Sequence, residues 1–518
     1  MLLHNARVIT LDERRPRAEA VAIRHGRIVA VGTAGDCARV ADGEHVDLGG
    51  ACVLPGLVDA HAHVLGLGTF LAEVNLVGAG DEAEVVERVR AWADRGAGWI
   101  RGFGWDQTRW PGAQFPRHDA LSRAVPHRLV WLTRIDGHAA LANAEALRLA
   151  GIGRDTPDPA GGRIVRDERG QPTGVLIDKA MELVEQSIPP VSEAEREARI
   201  LAACAACARV GLTAVHDAGD DAATLATLQR LDEEGRLPLR IYAMVESKPD
   251  TLDRWLARGP HQGDRLTVRC VKLFLDGALG SRGAAFHEPY DDDPGNRGLT
   301  LLEPAELRRL LRSAHDAGFQ VAVHAIGDRA NAEAIAAFEE VGLRRAARPR
   351  LEHAQIVRAD DIRRAARIGA IASVQPTHCT SDMPWLASRI GCRRLPGASP
   401  WRSFLDAGCC LALGSDFPIE SPDPRKGLYA AITRQDERGQ PPGGFQPAER
   451  ITLEQALRGF TQGAAFAAFA EGDLGRIAPG YRADLTVLDR DPTDVEPADL
   501  LRAGIVRTIV GGRTVFAA

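Results

Sequence analysis

The chain has 518 residues, which at roughly 150 residues per domain allows about three units, although one α/β barrel alone can pass about 250. Charged residues make up 26% and hydrophobic residues 45%, with a net charge of −6 spread in both signs, so a disordered, fibrous or collagen-like chain is excluded. No basic block or acidic tail marks a nucleic-acid partner, and no apolar run approaches the roughly 20 residues of a membrane helix. The longest apolar stretch, Leu201 to Val215, is interrupted by Arg209 and reads as a buried helix running into a strand.

The first residues, MLLHNARVITLDERR, lack a basic region followed by an apolar one, so no signal peptide is expected and the expected location is the cytoplasm. Nine cysteines are scattered without framework spacing. Cys204 and Cys207 form a C-x-x-C, but within an Ala-rich helical sequence, and are expected to be small core residues in a reducing compartment.

The first fifty residues read as short strands with tight turns. ARVITLD and AVAIRHGRIVAVG alternate apolar and polar residues, and His25-Gly26 supplies a hairpin turn. The last forty-five, GRIAPGYRADLTVLD and GIVRTIVGGRTVFA, behave the same way. Residues 1–52 with 473–518 are therefore expected to form one small β-sandwich, because pairing the two chain ends removes an open sheet edge.

Between them, apolar β-type runs alternate with Ala/Leu/Arg-rich helical stretches. VLPGLVDAHAH, GLTAVHDAG, RIYAMVES, VRCVKLFLDG, FQVAVHAIGD, RLEHAQ, AIASVQP and CCLALGSDFP make eight strands. Helical segments such as AELRRLLRSAHDAG and ADDIRRAARIGA separate them. The expectation is α/β: a closed (β/α)₈ TIM-type barrel over residues 53–472. Residues 64–191 are too long for one crossover and hold strand-like pieces of their own, WIRGFGWD and RLVWLTRIDGHAAL. They are expected to be a subdomain inserted after the first strand and sitting over the barrel mouth.

His61 and His63 end the first strand. Residues i and i+2 share a face, so both imidazoles aim the same way, with Asp59 behind them. An H-x-H by itself is as readily a pair of surface or core histidines. His324, His353 and Asp416, however, also stand where an apolar run turns polar, in separate βα units. Neutral imidazoles and a carboxylate gathered at one barrel mouth suit Zn²⁺ or a similar divalent ion.

Only four of the 64 basic residues are lysine: Lys179, Lys248, Lys272 and Lys426. A chain that uses arginine wherever a positive charge will do has a lysine inside an apolar strand at Lys272. A buried ammonium is costly unless paired or deprotonated. Either Lys272 pairs with Asp276 or another carboxylate, or it is a neutral amine able to take up CO₂ as an anionic carbamate.

PGLVDAHAH, VKLFLDGALGSR, VHAIGD, LEHAQ and GSDFP, in that order, resemble the amidohydrolase superfamily of metal-dependent hydrolases. The insertion with GWD, DGHAALAN and QPTGVL looks like amidohydrolase family 3, which includes N-substituted formamide deformylases. The resemblance covers nearly the whole chain. It implies His61 and His63 as first-strand metal ligands, Lys272 as a bridging carboxylated lysine, His324 and His353 as fifth- and sixth-strand ligands, and Asp416 as eighth-strand ligand and acid–base.

The implied reaction is hydrolysis of a non-peptide C–N bond in a small-molecule amide, an N-acyl or N-formyl amide in the first place, with one or two divalent ions and Zn²⁺ the expected one. Cyclic-amide or carbamate hydrolysis and deamination share the same ligands. A catalytically silent regulatory or binding protein is the alternative of another class, and should have lost ligands that are all present here. His138, His378, Asp276 and Trp105 are the candidates for contact with substrate, with Trp110 beside Trp105 and with His216 and Asp217 as mouth-lining residues at most. Neither a nucleic acid nor a membrane is an expected partner, and a homodimer is a family-level expectation.

Overall fold

The computed structural model describes residues 1–95, 98–135 and 137–518. Among them, no helix is long and apolar enough to cross a membrane. Two compact units are present, Met1–Val64 with Ala203–Ala518, and Leu65–Ala202.

In the larger unit both chain ends build sheets. Arg7–Ile9, Arg17–Ala18 and Cys52–Pro55 share a six-stranded sheet with Leu485–Leu488, Ile505–Val510 and Arg513–Ala517. The joint between the two ends is antiparallel, with Leu54 opposite Thr486. A four-stranded sheet of Leu2–His4, Ala20–Arg24, Arg27–Gly32 and His45–Asp47 completes the terminal region. Leu3, Val21, Ile23 and Ile28 from this sheet pack with Val8, Val53, Leu485, Val487 and Ile509 from the other. The alternating patterns produce this directly, since every second residue turns to the shared core. His25 and Gly26 both take positive φ, 50° and 73°, as the tight turn between two strands with right-handed twist requires.

The eight apolar runs form one parallel sheet in chain order: β1 Leu57–Ala62, β2 Leu212–Asp220, β3 Arg240–Glu246, β4 Leu266–Phe274, β5 Gln320–Ala325, β6 Arg350–His353, β7 Ile371–Val374 and β8 Cys410–Leu413. The sheet is a TIM-type barrel whose last seam is made beyond the strand ladder. The Asp416 N–H donates to His61 O at 2.7 Å, and the His63 N–H donates to Phe417 O at 2.9 Å. Helices cover the outside. Pro304–Asp316 buries Leu307, Leu310, Leu311 and Ala314, one stripe at helical spacing, and Ala359–Ile368 stops at Gly369 in the left-handed region (φ 70°).

Arg240 at the start of β3 meets Asp484 from the terminal sheet, with Nε and Nη2 donating to its two oxygens at 2.6 and 3.1 Å. Asp484 also accepts the Gly511 N–H at 2.7 Å. Removing one partner of a buried pair strands the other charge. Asp484→Ala is therefore expected to lower unfolding free energy by about 3–5 kcal/mol, read from urea melts. A loss under about 1 kcal/mol would show the pair to be solvated.

The smaller unit, Leu65–Ala202, has its own six-stranded sheet, in the order Gly162–Arg166, Pro172–Asp178, Ala139–Ala142, Leu129–Arg134, Trp99–Trp105 and Val74–Asn75. Trp99–Trp105 and Leu129–Arg134, both read as strands from the sequence, pair in parallel.

Candidate metal centre

The C-terminal ends of β1, β5 and β6 and the turn after β8 bring four histidines and an aspartate together. The ring of His353 lies 4.7 Å from that of His61 and 4.4 Å from that of His324, centre to centre. His63 stands 5.8 Å from His61, and His378 stacks on His353 at 5.9 Å. One ligand atom each from His61, His353 and Asp416 falls within a 4.8 Å group. His353 and Asp416 are re-aimed by the backbone itself, with φ of 72° and 63°. Such conformations are costly for residues with a Cβ and collect at functional sites.

Asp59 fixes the seam behind these ligands. Its carboxylate accepts the N–H groups of His61 and Ser415 and the Ser415 hydroxyl at 2.6 Å. The backbone approaches so closely that a Cβ on Gly414 would stand 2.5 Å from Asp59 Oδ1 and 2.6 Å from the His61 nitrogen, which only glycine avoids. Burial pushes the Asp59 carboxyl up to about 7.

The imidazoles of His61, His324 and His353 are kept neutral. Burial, then the nearby Lys272, push His61 down to about 4 and His324 to about 3, and burial takes His353 well below the usual range. Burial alone would raise Asp416, but His63 beside it holds its carboxyl well below the carboxylate range. His63 Nε2 and His61 Nε2 approach Asp416 Oδ1 at 3.1 and 3.7 Å without hydrogen-bond alignment, and His378 Nε2 is 3.7 Å from Oδ2. The buried atoms His324 Nε2, His378 Nε2 and Asp416 Oδ1 have no hydrogen-bond partner, with His324 Nε2 lying 3.5 Å from Asp276 Oδ1. Buried polar atoms are rarely left so. Imidazole nitrogens and a carboxylate oxygen gathered as closely as those of His61, His353 and Asp416 are the donor set that a divalent cation takes.

Lys272 on β4 is fully buried, with Nζ 3.3 Å from His61 Nε2 and 4.6 Å from the centre of the Phe274 ring. Among the described residues no carboxylate forms an ion pair with it, Asp276 included. Burial pushes its pKa down, against the pull of Glu352 and Asp416.

A family profile described as "Amidohydrolase family" matches residues 44–516. The chain belongs to the amidohydrolase family. It is thus a metal-dependent hydrolase of carbon–nitrogen bonds, and two of its relatives each match 99% of the chain. The protein YtcJ of Bacillus subtilis (strain 168) is 34% identical over 525 residues, covering 99% of this amidohydrolase and 98% of YtcJ. N-substituted formamide deformylase of Arthrobacter pascens is 30% identical over 542 residues, covering 99% and 97% of the two chains. The crystal structure of an uncharacterized metal-dependent hydrolase from Pyrococcus horikoshii OT3 superposes with a TM-score of 0.82 at 31% identity, covering 96% of this chain and 98% of that one.

Other expected contacts fall elsewhere in the amidohydrolase. Trp105, expected in the pocket wall, is instead a core residue of the smaller unit: it is fully buried among Val85, Leu121 and Leu132, and its indole N–H donates to Leu132 O at 2.7 Å. With its one polar group satisfied, the ring gains most by complete burial. Trp110 does the same, donating to Ala79 O at 2.8 Å. Asp276, expected to face substrate, accepts the N–H groups of Ala285, Ile326 and Gly327 at 2.8–3.0 Å and so ties the loops after β4 and β5 together. Both its oxygens are engaged, and burial raises its pKa to about 7. His138 is an exposed residue of the smaller unit, with Nδ1 2.9 Å from Asp178 Oδ1, and Asp136 of the DGHAALAN stretch lies outside the described residues. His216 is buried inside the barrel rather than lining the mouth, and Asp217 holds the Val64 N–H at 2.8 Å.

The sequence reading passed over Arg350, Glu352 and Gln375. Gln375 Oε1 takes the Nδ1 side of His353 at 2.8 Å, and Glu352 takes that of His61. The signal was present: Arg350 and Glu352 are charges at i and i+2 on a strand otherwise reading as core.

Proposed function

We propose that this amidohydrolase cleaves a small-molecule N-acyl or N-formyl amide, with a divalent ion, zinc in the first place, held by His61, His63, His324, His353 and Asp416, and with Lys272 as its carbamate completing the set. The observation that carries this is the gathering of one ligand atom each from His61, His353 and Asp416 within 4.8 Å of one another, with Asp416 Oδ1 buried and without a hydrogen bond. When bound there, such an ion supplies Lewis acidity and lowers the pKa of a water to about 7.

The residues do the rest. Asp416 stands among the imidazoles with Oδ1 buried and free of hydrogen bonds, so its carboxylate takes the proton of the attacking water and hands it to the leaving nitrogen. His378 Nε2, 3.7 Å from Asp416 Oδ2 and without a partner, is placed to donate to the substrate's carbonyl or acyl group. The likeness across 99% of the chain to an N-substituted formamide deformylase supports a formyl or small acyl group. The cysteine pattern supports a cytoplasmic location, and the homodimer rests on the family alone.

The test offers the purified protein N-substituted formamides, cyclic imides and carbamates, and follows formate, ring-opened acid and free amine. Formate release from the formamides is expected, abolished by chelation and restored by Zn²⁺. Turnover that survives exhaustive chelation sinks the metal reading, and preference for the cyclic substrates moves the enzyme to the neighbouring activity.

A further inference from the structure

The inside of a (β/α)₈ barrel is ordinarily filled by branched apolar side chains from alternate strands. Here the layer beneath the metal centre is charged. Arg350 and Glu352, both fully buried, point inward from β6. Arg350 Nε donates to Glu352 Oε1 at 2.6 Å. Its Nη2 donates to Ala60 O on β1 at 2.7 Å and to Ser373 Oγ on β7 at 3.0 Å, and its Nη1 stands 3.0 Å from His216 Nδ1 on β2. One guanidinium therefore ties four strands. The second Glu352 oxygen, Oε2, faces His61 Nδ1 in a short contact.

The donor and acceptor inventory decides which way the His61 ring is used. An arginine only donates, so Glu352, already accepting from it, remains an ionised acceptor toward His61. Nδ1 must then carry the hydrogen, and the lone pair sits on Nε2, the atom 3.3 Å from Lys272 Nζ and 3.7 Å from Asp416 Oδ1. Outer partners of this kind fix the tautomer and orientation of a ligating histidine. We infer that Glu352, backed by Arg350, is the positioning residue of this centre, holding the hydrogen on His61 Nδ1 so that Nε2 is presented to the cavity shared with Asp416 and Lys272. The inference rests on the reading of His61 as a ligand given above. Neither Arg350 nor Glu352 touches the reacting atoms.

A purely structural role makes a different prediction. Replacing both members of a buried ion pair by apolar residues of similar volume is often neutral or stabilising for the fold, whereas a positioning role is lost with the carboxylate. The experiment uses full-length wild type, Glu352→Gln and the double variant Arg350→Met/Glu352→Leu. It measures Zn²⁺ affinity by competition with a chromophoric chelator, the visible bands of the Co²⁺-loaded proteins, and the thermal midpoint. The double variant is expected to melt close to wild type yet bind Zn²⁺ about 10–100-fold more weakly, with shifted Co²⁺ bands. Glu352→Gln, whose amide oxygen can still accept from Nδ1–H, is expected to lose less. Wild-type Zn²⁺ affinity in the folded double variant overturns the inference. If neither variant folds, the pair is a folding element and the inference fails as well. A wild type that binds no Zn²⁺ is a separate result, which defeats the metal reading itself.

Discussion

Asp416→Asn is expected to lower kcat by about 10²–10⁴-fold while the protein keeps most of its metal and its melting temperature. The substitution is nearly isosteric, and the backbone at this position is held independently of the side chain. The Asp416 N–H donates to His61 O, and the next residue, Phe417, accepts from the His63 N–H. Asparagine therefore inherits the left-handed conformation (φ 63°), which it tolerates better than most residues. What it lacks is an oxygen able to take and release a proton between His63 Nε2 at 3.1 Å and His378 Nε2 at 3.7 Å. Metal content by mass spectrometry, beside steady-state kinetics, separates the two roles of this carboxylate. Turnover near wild type in a verified preparation removes Asp416 from proton transfer, and loss of metal in step with activity makes it a ligand before anything else.

Lys272→Arg is expected to be the more damaging change, although arginine is this chain's routine cation. The side chain is fully buried, has no carboxylate ion-pair partner among the described residues, and places Nζ 3.3 Å from His61 Nε2. Burial favours the neutral amine, the form that reacts with CO₂. Arginine cannot lose its charge in a protein, so it can form no carbamate and sets a fixed cation beside the ligands. Turnover is expected to fall by more than the 10–100-fold or so that loss of an outer partner costs, with metal occupancy falling in parallel. Lys272→Ala should lose metal too, and a short carboxylic acid in the buffer should restore part of it by filling the vacated space. If Lys272 serves as a paired cation instead, Lys272→Arg keeps much of the activity, so one substitution gives opposite results under the two readings. Density at Nζ in a metal-loaded crystal gives the same answer without kinetics.

Much of this molecule is legible in one dimension. Every barrel strand from Leu57–Ala62 to Cys410–Leu413 coincides with an apolar run that ends in polar residues. Period and length are local properties, and a fully buried parallel strand carries them with little ambiguity. The same holds for the terminal strands, whose alternation is enough to say which residues face a core. Because every strand of such a barrel runs the same way, the polar residues at strand ends, His61, His324 and His353 among them, belong to one pole on sequence pattern alone.

Which atoms meet there is a different question. The stagger that closes the barrel decides that Asp416 reaches back to His61, that Gly414 passes within contact of Asp59, and that Arg350 spans to β1, β2 and β7. Those partners are 23 or more residues apart along the chain, so no local pattern encodes them. Trp105 and Asp276 show the same divide in the other direction. Each has the chemistry of a site residue, but one is enclosed by the core of the smaller unit and the other is consumed by three backbone N–H groups. Strand periodicity is local, so the residue types at the strand ends can be read along the chain. Hydrogen-bond partners are chosen in space, so the folded barrel alone sets which of their polar atoms are satisfied and which are left to bind.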